Sequence, residues 1–313
     1  MISVIIPTYN NSSILVKSLV TWMNQSIDDA NYEVIIVDNN SVDDTEIVVK
    51  SMIKNNNNFY YIKETKPGAT NARHAGAKIS KGDILVFADN DGLYNIECLE
   101  SIIDAFKLLK DIDALACKID LLWDKEPPLW IKPYSYLLGE LDYGPHLAIG
   151  YKREFYFNGG LFAIKRDTFF ELHGFNPDLI GGKLIGDGDT GLVEKVWDAN
   201  KLIGWTPFAK MSHMQQVSKH GSREGVALHL FNNGVASSYA LFRKNKFKFT
   251  HKVINHITLS ILLFIKKWLT YMLFRRDEMK TYFSMNYYKG QVTFFLNLFN
   301  KDIREEVYKY NLL

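Results

Sequence analysis

Cysteine is nearly missing from this chain. Two residues, Cys98 and Cys117, occur in 313, and they follow no disulfide or metal spacing. That removes a disulfide framework from consideration and suits a reducing compartment. No charge of one sign dominates either, with 37 Lys and Arg against 35 Asp and Glu, so bulk charge gives no reason to expect a nucleic-acid partner. Nowhere do 18 uncharged apolar residues follow one another, and a transmembrane helix is not expected. The opening MISVIIPTYNN has neither a basic segment nor a long apolar one, so no signal peptide is expected and the cytoplasm is the expected location. Two motifs are absent as well. No G-x-G-x-x-G follows the first strand and no GxxxxGK[ST] occurs, which disfavours a nicotinamide dehydrogenase and a P-loop enzyme.

What is present is ample apolar material, 47% of the residues, for a real core. The stretch ILVFADND, Ile84–Asp91, organises the rest. Its apolar run reads as a buried strand, and Asp89 and Asp91 follow at its carboxyl end around Asn90. Two carboxylates at i and i+2 there can face one divalent cation, Mg²⁺ or Mn²⁺, that completes its shell with water and phosphate oxygens. The plainer reading of Asp-Asn-Asp-Gly is a polar turn closing a strand.

Earlier in the chain, Ser3–Pro7 and Glu33–Val37 read as buried strands. A helix from Ser12 or Ser13 puts Leu15, Leu19 and Trp22 on one face. Val42–Ile53 suits a helix, Phe59–Ile62 a third strand, and Ala69–Ile79, which carries Arg73, a further helix. Asp43 and Asp44 read as helix-start residues. Strands alternating with helices at this spacing imply a Rossmann-like α/β fold with a mostly parallel sheet, whose ligands bind beyond the carboxyl ends of the strands. Tyr9, Asn10, Asp38, Asp89 and Asp91 all fall at such ends.

The second half is less regular. Residues 97–109 read as a helix and 114–119 as a strand. Asp120 to Tyr156 is an aromatic-rich stretch carrying Trp123, Trp130 and Tyr143, of a length that serves a site or carries short elements. The pair Gly159-Gly160 lets backbone approach a ligand closely. Gly181–Leu192 reads as a Gly-rich loop holding Asp187 and Asp189, with a helix from about Val193. His213 is placed beyond a strand near Leu202–Trp205. The last third turns apolar and basic. Lys266, Lys267, Arg275 and Arg276 with Trp268 and Tyr271 suit an interfacial helix on an anionic membrane, at the inner face of the cell membrane. A helix packed on the body of the protein or on a second subunit, giving a homodimer, fits equally.

With these residues in place, the chain resembles family 2 glycosyltransferases of the GT-A fold, bacterial enzymes of surface polysaccharide or glycolipid synthesis. The resemblance covers about Ile2 to Gly225. It rests on VIIPTYN, VDNNSVDDT, GATNARHAGAKISKGDILVFADND, FNGGLFAIKRDTFFELHGF, GDGDTGL and the later His213. It implies a donor-binding part over 1–119, an acceptor and catalytic part over 120–225, and a helical extension over 226–313. It further implies an inverting transfer from a nucleoside-diphosphate sugar, expected to be a UDP-sugar, to a saccharide or lipid-linked acceptor, assisted by Mn²⁺ or Mg²⁺. Asp38 would bind the base in a pocket lined by Pro7, Thr8 and Tyr9, with Asn40 and Asn90 also on the nucleotide sugar. Arg73 would sit near the phosphates, Asp89 near ribose, Asp91 on the metal with His213 on metal or diphosphate, and Asp189 would be the catalytic base. The chain departs from the family at Gly188, where Glu is common, at Gly191, where an acid is common, and at His74, where Asn is common. These departures bring Asp187 forward as the alternate base. A nucleotidyltransferase, which also uses a metal and an α/β sheet, is the alternative enzyme, and the missing acid at Gly188 keeps open a catalytically inactive sugar-nucleotide-binding protein.

Overall fold

Strands β1 (Ile2–Thr8) and β2 (Tyr32–Asp38) are buried at every position. Such strands need apolar cover on both faces, which is why their sequences run rather than alternate. The computed structural model describes residues 1–151, 153–274 and 278–309. The chain clusters into two compact units, and neither is a continuous stretch. The first comprises residues 1–123, 139–176 and 188–215; the second comprises 124–138, 177–187 and 216–313.

In the first unit, α1 (Ser12–Met23) follows β1 and buries Leu15, Leu19 and Trp22, the face expected from their spacing. Next come α2 (Thr45–Ile53), β3 (Phe59–Lys63), α3 (Ala69–Ile79), β4 (Ile84–Ala88), β5 (Gly92–Tyr94), α4 (Cys98–Leu108) and β6 (Ala114–Trp123). Helix α2 starts three residues later than expected, because Asp43 Oδ1 accepts from Thr45 N at 3.1 Å and holds the preceding turn. Then follow β7 (Ala148–Gly150), β8 (Leu161–Lys165) and α5 (Arg166–Glu171). Among the described residues one nine-stranded sheet runs β3-β2-β1-β4-β8-β6 and continues through a final strand, described next, that pairs with both β5 and β7.

The aromatic stretch after β6 carries a short element, a 3₁₀ helix over Leu129–Leu138, in the second unit. Two elements correct the sequence reading. The Gly-rich segment is a short hairpin, β9 (Leu179–Ile180) with β10 (Lys183–Leu184), followed directly by α6 (Gly188–Asp198). Asp189 thus stands in the first turn of a helix rather than in a loop. The final strand β11 (Ile203–Gln215) is 13 residues long and includes His213. It is parallel to β6 and antiparallel to β5 and β7, and β8 is antiparallel to β4 and β6. Six strands (β1, β2, β3, β4, β6 and β11) therefore run one way, as expected of a mostly parallel sheet with helices around it.

The second unit is helical. After α7 (Val217–His220) come α8 (Arg223–Lys244), α9 (His251–Phe274), α10 (Glu278–Asn297) and α11 (Lys301–Lys309). Tyr239, Phe242, Val253 and Phe294 lie in its own apolar core, to which the hairpin adds Ile180. Helices α8 and α10 meet backbone to backbone. A Cβ on Gly234 would lie 2.1 Å from the Tyr287 carbonyl oxygen, and one on Gly290 would lie 2.0 Å from that of Phe231. Contrary to the expectation from uncharged runs, His251–Leu273 is long and apolar enough to cross a membrane by length and composition, 23 residues at mean hydropathy 1.3. Lys266 and Lys267 interrupt the run and hid it. Arg275 and Arg276 of the basic tail lie outside the described residues.

Candidate active site

The carboxyl ends of β1, β2 and β4 bring Thr8, Asp38 and the Asp89–Asp91 segment to one edge of the sheet, because β1 lies between the other two strands in parallel register. Local hydrogen bonds then fix each group. Asn39 N donates to the Thr8 carbonyl at 2.8 Å, joining the two loops. Asp38, nearly inaccessible, accepts from Ser41 N at 2.8 Å and from the Tyr61 hydroxyl at 2.5 Å. Burial, with Asp38 alongside, pushes the Tyr61 phenol above its ordinary range and keeps it a donor. Asn40 takes a left-handed conformation, φ 67°, which turns the chain at the mouth of this loop. Asn90 Nδ2 donates to Thr8 Oγ1 at 2.9 Å, and its Oδ1 accepts from Asn11 at 3.2 Å. Tyr9 is 59% exposed at the rim.

The two carboxylates after β4 separate. Asp89 is held by Arg73, whose Nη2 donates to its Oδ1 at 2.7 Å and also to the Gly159 carbonyl at 3.2 Å. Burial raises the Asp89 carboxyl above its usual range, and the Asp91 charge adds to this while Arg73 opposes it. Asp91 faces the other way, its Oδ1 3.3 Å from His213 Nε2 on β11. That oxygen is buried and accepts no hydrogen bond from any described residue. A buried carboxylate oxygen without a donor is costly unless a cation or proton satisfies it. Among the described residues no three His, Cys, Asp or Glu side chains gather into a metal cage. The pair nevertheless fits a Mg²⁺ or Mn²⁺ that takes few protein ligands and fills its shell with phosphate and water oxygens.

Gly159 links this edge to Asp189. Its carbonyl accepts from Arg73, and its N–H donates to Asp189 Oδ2 at 2.6 Å. Asp189 Oδ1 accepts from Thr190 N at 2.9 Å, in the first turn of α6, where amide dipoles favour an anion. A side chain at position 159 would displace its neighbours, since a Cβ there would lie 2.6 Å from Arg73 Nη2 and 3.1 Å from Asp189 Oδ2. Gly160 is less confined, with its N–H donating to Asn158 Oδ1 at 3.0 Å and its carbonyl accepting from Asp89 N at 3.1 Å. Asp187 has a different environment. Its carboxylate, 1% exposed, accepts from Arg243 Nη2 at 3.0 Å and Nε at 3.3 Å in the second unit.

Some groups went unseen in the sequence. Tyr61 is one, although its place in an alternating strand opposite Ile36 carried the signal. Asn158 is another, bridging Gly160 to the Gly139 carbonyl, and only its position before the Gly pair hinted at it. His74, at a family departure, accepts from Phe175 N at 2.8 Å and so fixes the turn after α5. The aromatic stretch contributes packing: the Tyr143 ring lies 4.6 Å from that of Phe155 and 5.2 Å from that of Trp205.

A mostly parallel sheet whose acidic carboxyl edge is closed by a Gly pair and a helix-borne aspartate is the GT-A fold of glycosyltransferases. The chain belongs to glycosyl transferase family 2, whose model matches residues 3–169. It is 34% identical over 102 residues to the poly(ribitol-phosphate) beta-N-acetylglucosaminyltransferase TarP of Staphylococcus aureus, covering 32% of this chain and 31% of that one. It is 34% identical over 119 residues to the minor teichoic acid biosynthesis protein GgaB of Bacillus subtilis, covering 37% and 13%. The matched part is thus a third or less of these relatives' length. Among solved structures, S. aureus TarS 1-349 in complex with UDP-GlcNAc superposes with a TM-score of 0.56 at 16% identity, covering 95% of this chain and 92% of that one. The mannosyltransferase PcManGT of Pyrobaculum calidifontis, in complex with GDP-Man and Mn²⁺, gives 0.56 at 20% identity, covering 96% and 87%. At such identities the likeness is one of fold.

Proposed function

We propose that this protein transfers a sugar from a nucleoside-diphosphate sugar, a UDP-sugar, to a hydroxyl of a saccharide or lipid-linked acceptor, with inversion at the anomeric carbon. The observation that carries the reading is the continuous line Asp89–Arg73–Gly159–Asp189, beside the Asp91–His213 pair, along one carboxyl edge. Asp38 and the Thr8–Tyr9 segment receive the nucleoside, and Arg73 offers its guanidinium to the diphosphate side. Residues 1–119 serve the donor, residues 120–225 supply the acceptor side and the base, and 226–313 form the helical extension. TarS in complex with UDP-GlcNAc supports the donor class, and the kinship with TarP and GgaB supports a cell-surface polymer as acceptor.

The acceptor oxygen attacks the anomeric carbon while the bond to the diphosphate oxygen breaks, and the acceptor proton passes to Asp189. A hydroxyl is a poor nucleophile without such a base. A divalent cation held by Asp91 and His213 would neutralise charge on the departing diphosphate. Asp187 does not suit the base role, since its carboxylate is enclosed and committed to Arg243. Nucleotide sugars are made in the cytoplasm, and a lipid-linked acceptor would put the reaction at the inner face of the cell membrane.

Asp189→Asn keeps the size and most of the hydrogen bonding but cannot take the proton. It should lower kcat by roughly 10²–10⁴-fold while UDP affinity stays within about twofold, and NMR of the wild-type product should show the anomer opposite to the donor. Full activity of Asp189→Asn, or a retained anomer, would overturn the assignment. Pyrophosphate release from a nucleoside triphosphate would indicate a nucleotidyltransferase instead.

A further inference from the structure

Helix α9 reverses the usual disposition of a surface helix. Its inward face holds the polar groups: Ser260 Oγ donates to Gln291 Oε1 at 2.9 Å, and Ser238 Oγ lies 2.9 Å from His256 Nε2. Its outward face is the apolar one. Ile254, Leu262, Ile265, Leu269, Met272 and Leu273 are all exposed, Leu262 by 59% and Leu273 by 68%. At 3.6 residues per turn these six fall within an arc of about 100°, opposite Ser260. A continuous apolar stripe of this length is not left in water without a use. Within the unit, the close approach of α8 and α10 at Gly234 and Gly290 and the hydrogen bonds between helices are devices common where helices meet lipid.

Charge decides what covers the stripe. Residues 226–313 carry 14 Lys and Arg against 5 Asp and Glu, while residues 1–225 carry 23 against 30. The C-terminal part is therefore strongly cationic (+9) and the remainder acidic (−7), giving the +2 of the whole chain. Exposed Lys252 and Lys266 flank one side of the stripe, and half-exposed Trp268 flanks the other. A second copy docked on the same stripe would set two such cationic segments together. An anionic bilayer surface would instead pair the lysines with phosphates and seat the indole at headgroup level. A crossing orientation is disfavoured, because Lys266 and Lys267 fall well inside the apolar span.

The geometry points to α9 as an interfacial helix that lies along an anionic lipid bilayer, with its Ile254–Leu273 stripe in the acyl boundary and Lys252 and Lys266 at the headgroup phosphates. This deepens the transferase reading only in saying how a lipid-linked acceptor would be met. The lipid contact itself stands on the C-terminal unit alone.

The test is co-sedimentation of the full chain with vesicles of phosphatidylcholine alone or mixed with phosphatidylglycerol. Binding should require the anionic lipid and weaken as salt rises. The triple variant Leu262→Gln, Leu269→Gln, Leu273→Gln alters only exposed positions, so its thermal stability should be unchanged while its vesicle binding falls by about tenfold or more. Lys252→Glu with Lys266→Glu should lower binding to anionic vesicles and leave the phosphatidylcholine background unaltered. Equal vesicle binding by the triple variant and the parent would overturn the proposal. So would a parent oligomer that the triple variant dissociates with no vesicle binding in either. UDP-dependent thermal shift, measured on the same proteins, reports separately on the donor site: its absence would count against the transferase reading and leave the vesicle result intact.

Discussion

The two units bury opposite things. The sheet unit encloses Val4, Ile5, Ile35, Val86 and their neighbours completely and brings its acids and amides to one carboxyl edge. The C-terminal unit encloses Ser238, Ser260 and Gln291 as well as aromatic rings, and leaves leucines and isoleucines outside. A sheet strand is covered on both faces, so its polar groups are driven to its ends, where a ligand can use them. A helix in a small bundle can turn either face outward, and which one it shows depends on what lies outside. The first arrangement builds a site for small polar molecules. The second builds a surface.

The largest expected effect breaks the second unit from within. Arg243→Met takes away the guanidinium from which the enclosed carboxylate of Asp187 accepts, and removing one side of a buried pair costs about 3–5 kcal/mol. Denaturant unfolding should register this as a lowered midpoint. Asp187→Asn paired with Arg243→Met should recover part of the loss, since the buried carboxylate charge is then removed as well.

Gly159→Ala probes the first unit between its proposed base and its guanidinium. The added methyl meets both Arg73 and Asp189, so the base and the guanidinium must separate. Misplacement of a catalytic group by about 1 Å can cost ~10²-fold in rate. Steady-state kinetics should show that loss mainly in kcat, with stability changed much less than in Arg243→Met. A near-parental kcat would mean that the Arg73–Gly159–Asp189 line does not position the reaction.

Gly234→Ala tests whether backbone contact between α8 and α10 sets the shape of the second unit. The methyl would sit 2.1 Å from a carbonyl oxygen that cannot move alone. Overpacking of this kind costs about 1–3 kcal/mol, and thermal unfolding should show it without loss of UDP binding.

The sheet unit was legible because its signals are local. Continuous apolar runs gave β1, β2 and β4 nearly residue by residue, and Ala69–Ile79 was delimited by Pro67-Gly68 before it. The carboxyl-edge acids could be read from the same strands, since a strand's end fixes where its next residue stands. Asp189 was harder: five glycines over Gly181–Leu192 resemble a loop, whereas the Gly159 amide holds Asp189 at the start of α6. His213 was misjudged for a similar reason, because β11 continues through a register shift after Thr206 that no sequence pattern announces. The reversed face of α9 was only half visible. Periodicity set His256, Ser260 and Lys267 on one face, but which face pointed inward depended on Ser238 and Gln291, some 18 and 31 residues away from their partners.

The smallest effect expected is a pH dependence confined to the second unit. His256 is half-buried beside Ser238 and Phe295, and burial lowers its imidazole below the ordinary value of 6.5. The unfolded chain therefore binds this proton more tightly than the folded one, and stability linked to His256 is complete above pH 6.5 and is lost as pH falls through that value. Mild acidification should thus loosen the α8–α9 contact while β1 and β4, which carry no titratable side chain, hold. Hydrogen exchange resolves the two: amides of α9 should exchange faster at pH 5.5 than at 7.5, after correction for intrinsic rates, and those of β1 and β4 should not. His256→Gln retains a hydrogen-bonding group toward Ser238 and cannot titrate, so it should abolish the difference. If α9 protection stays pH-dependent in that variant, the proton is taken up elsewhere, and the polar inner face of this helix has no part in the pH response.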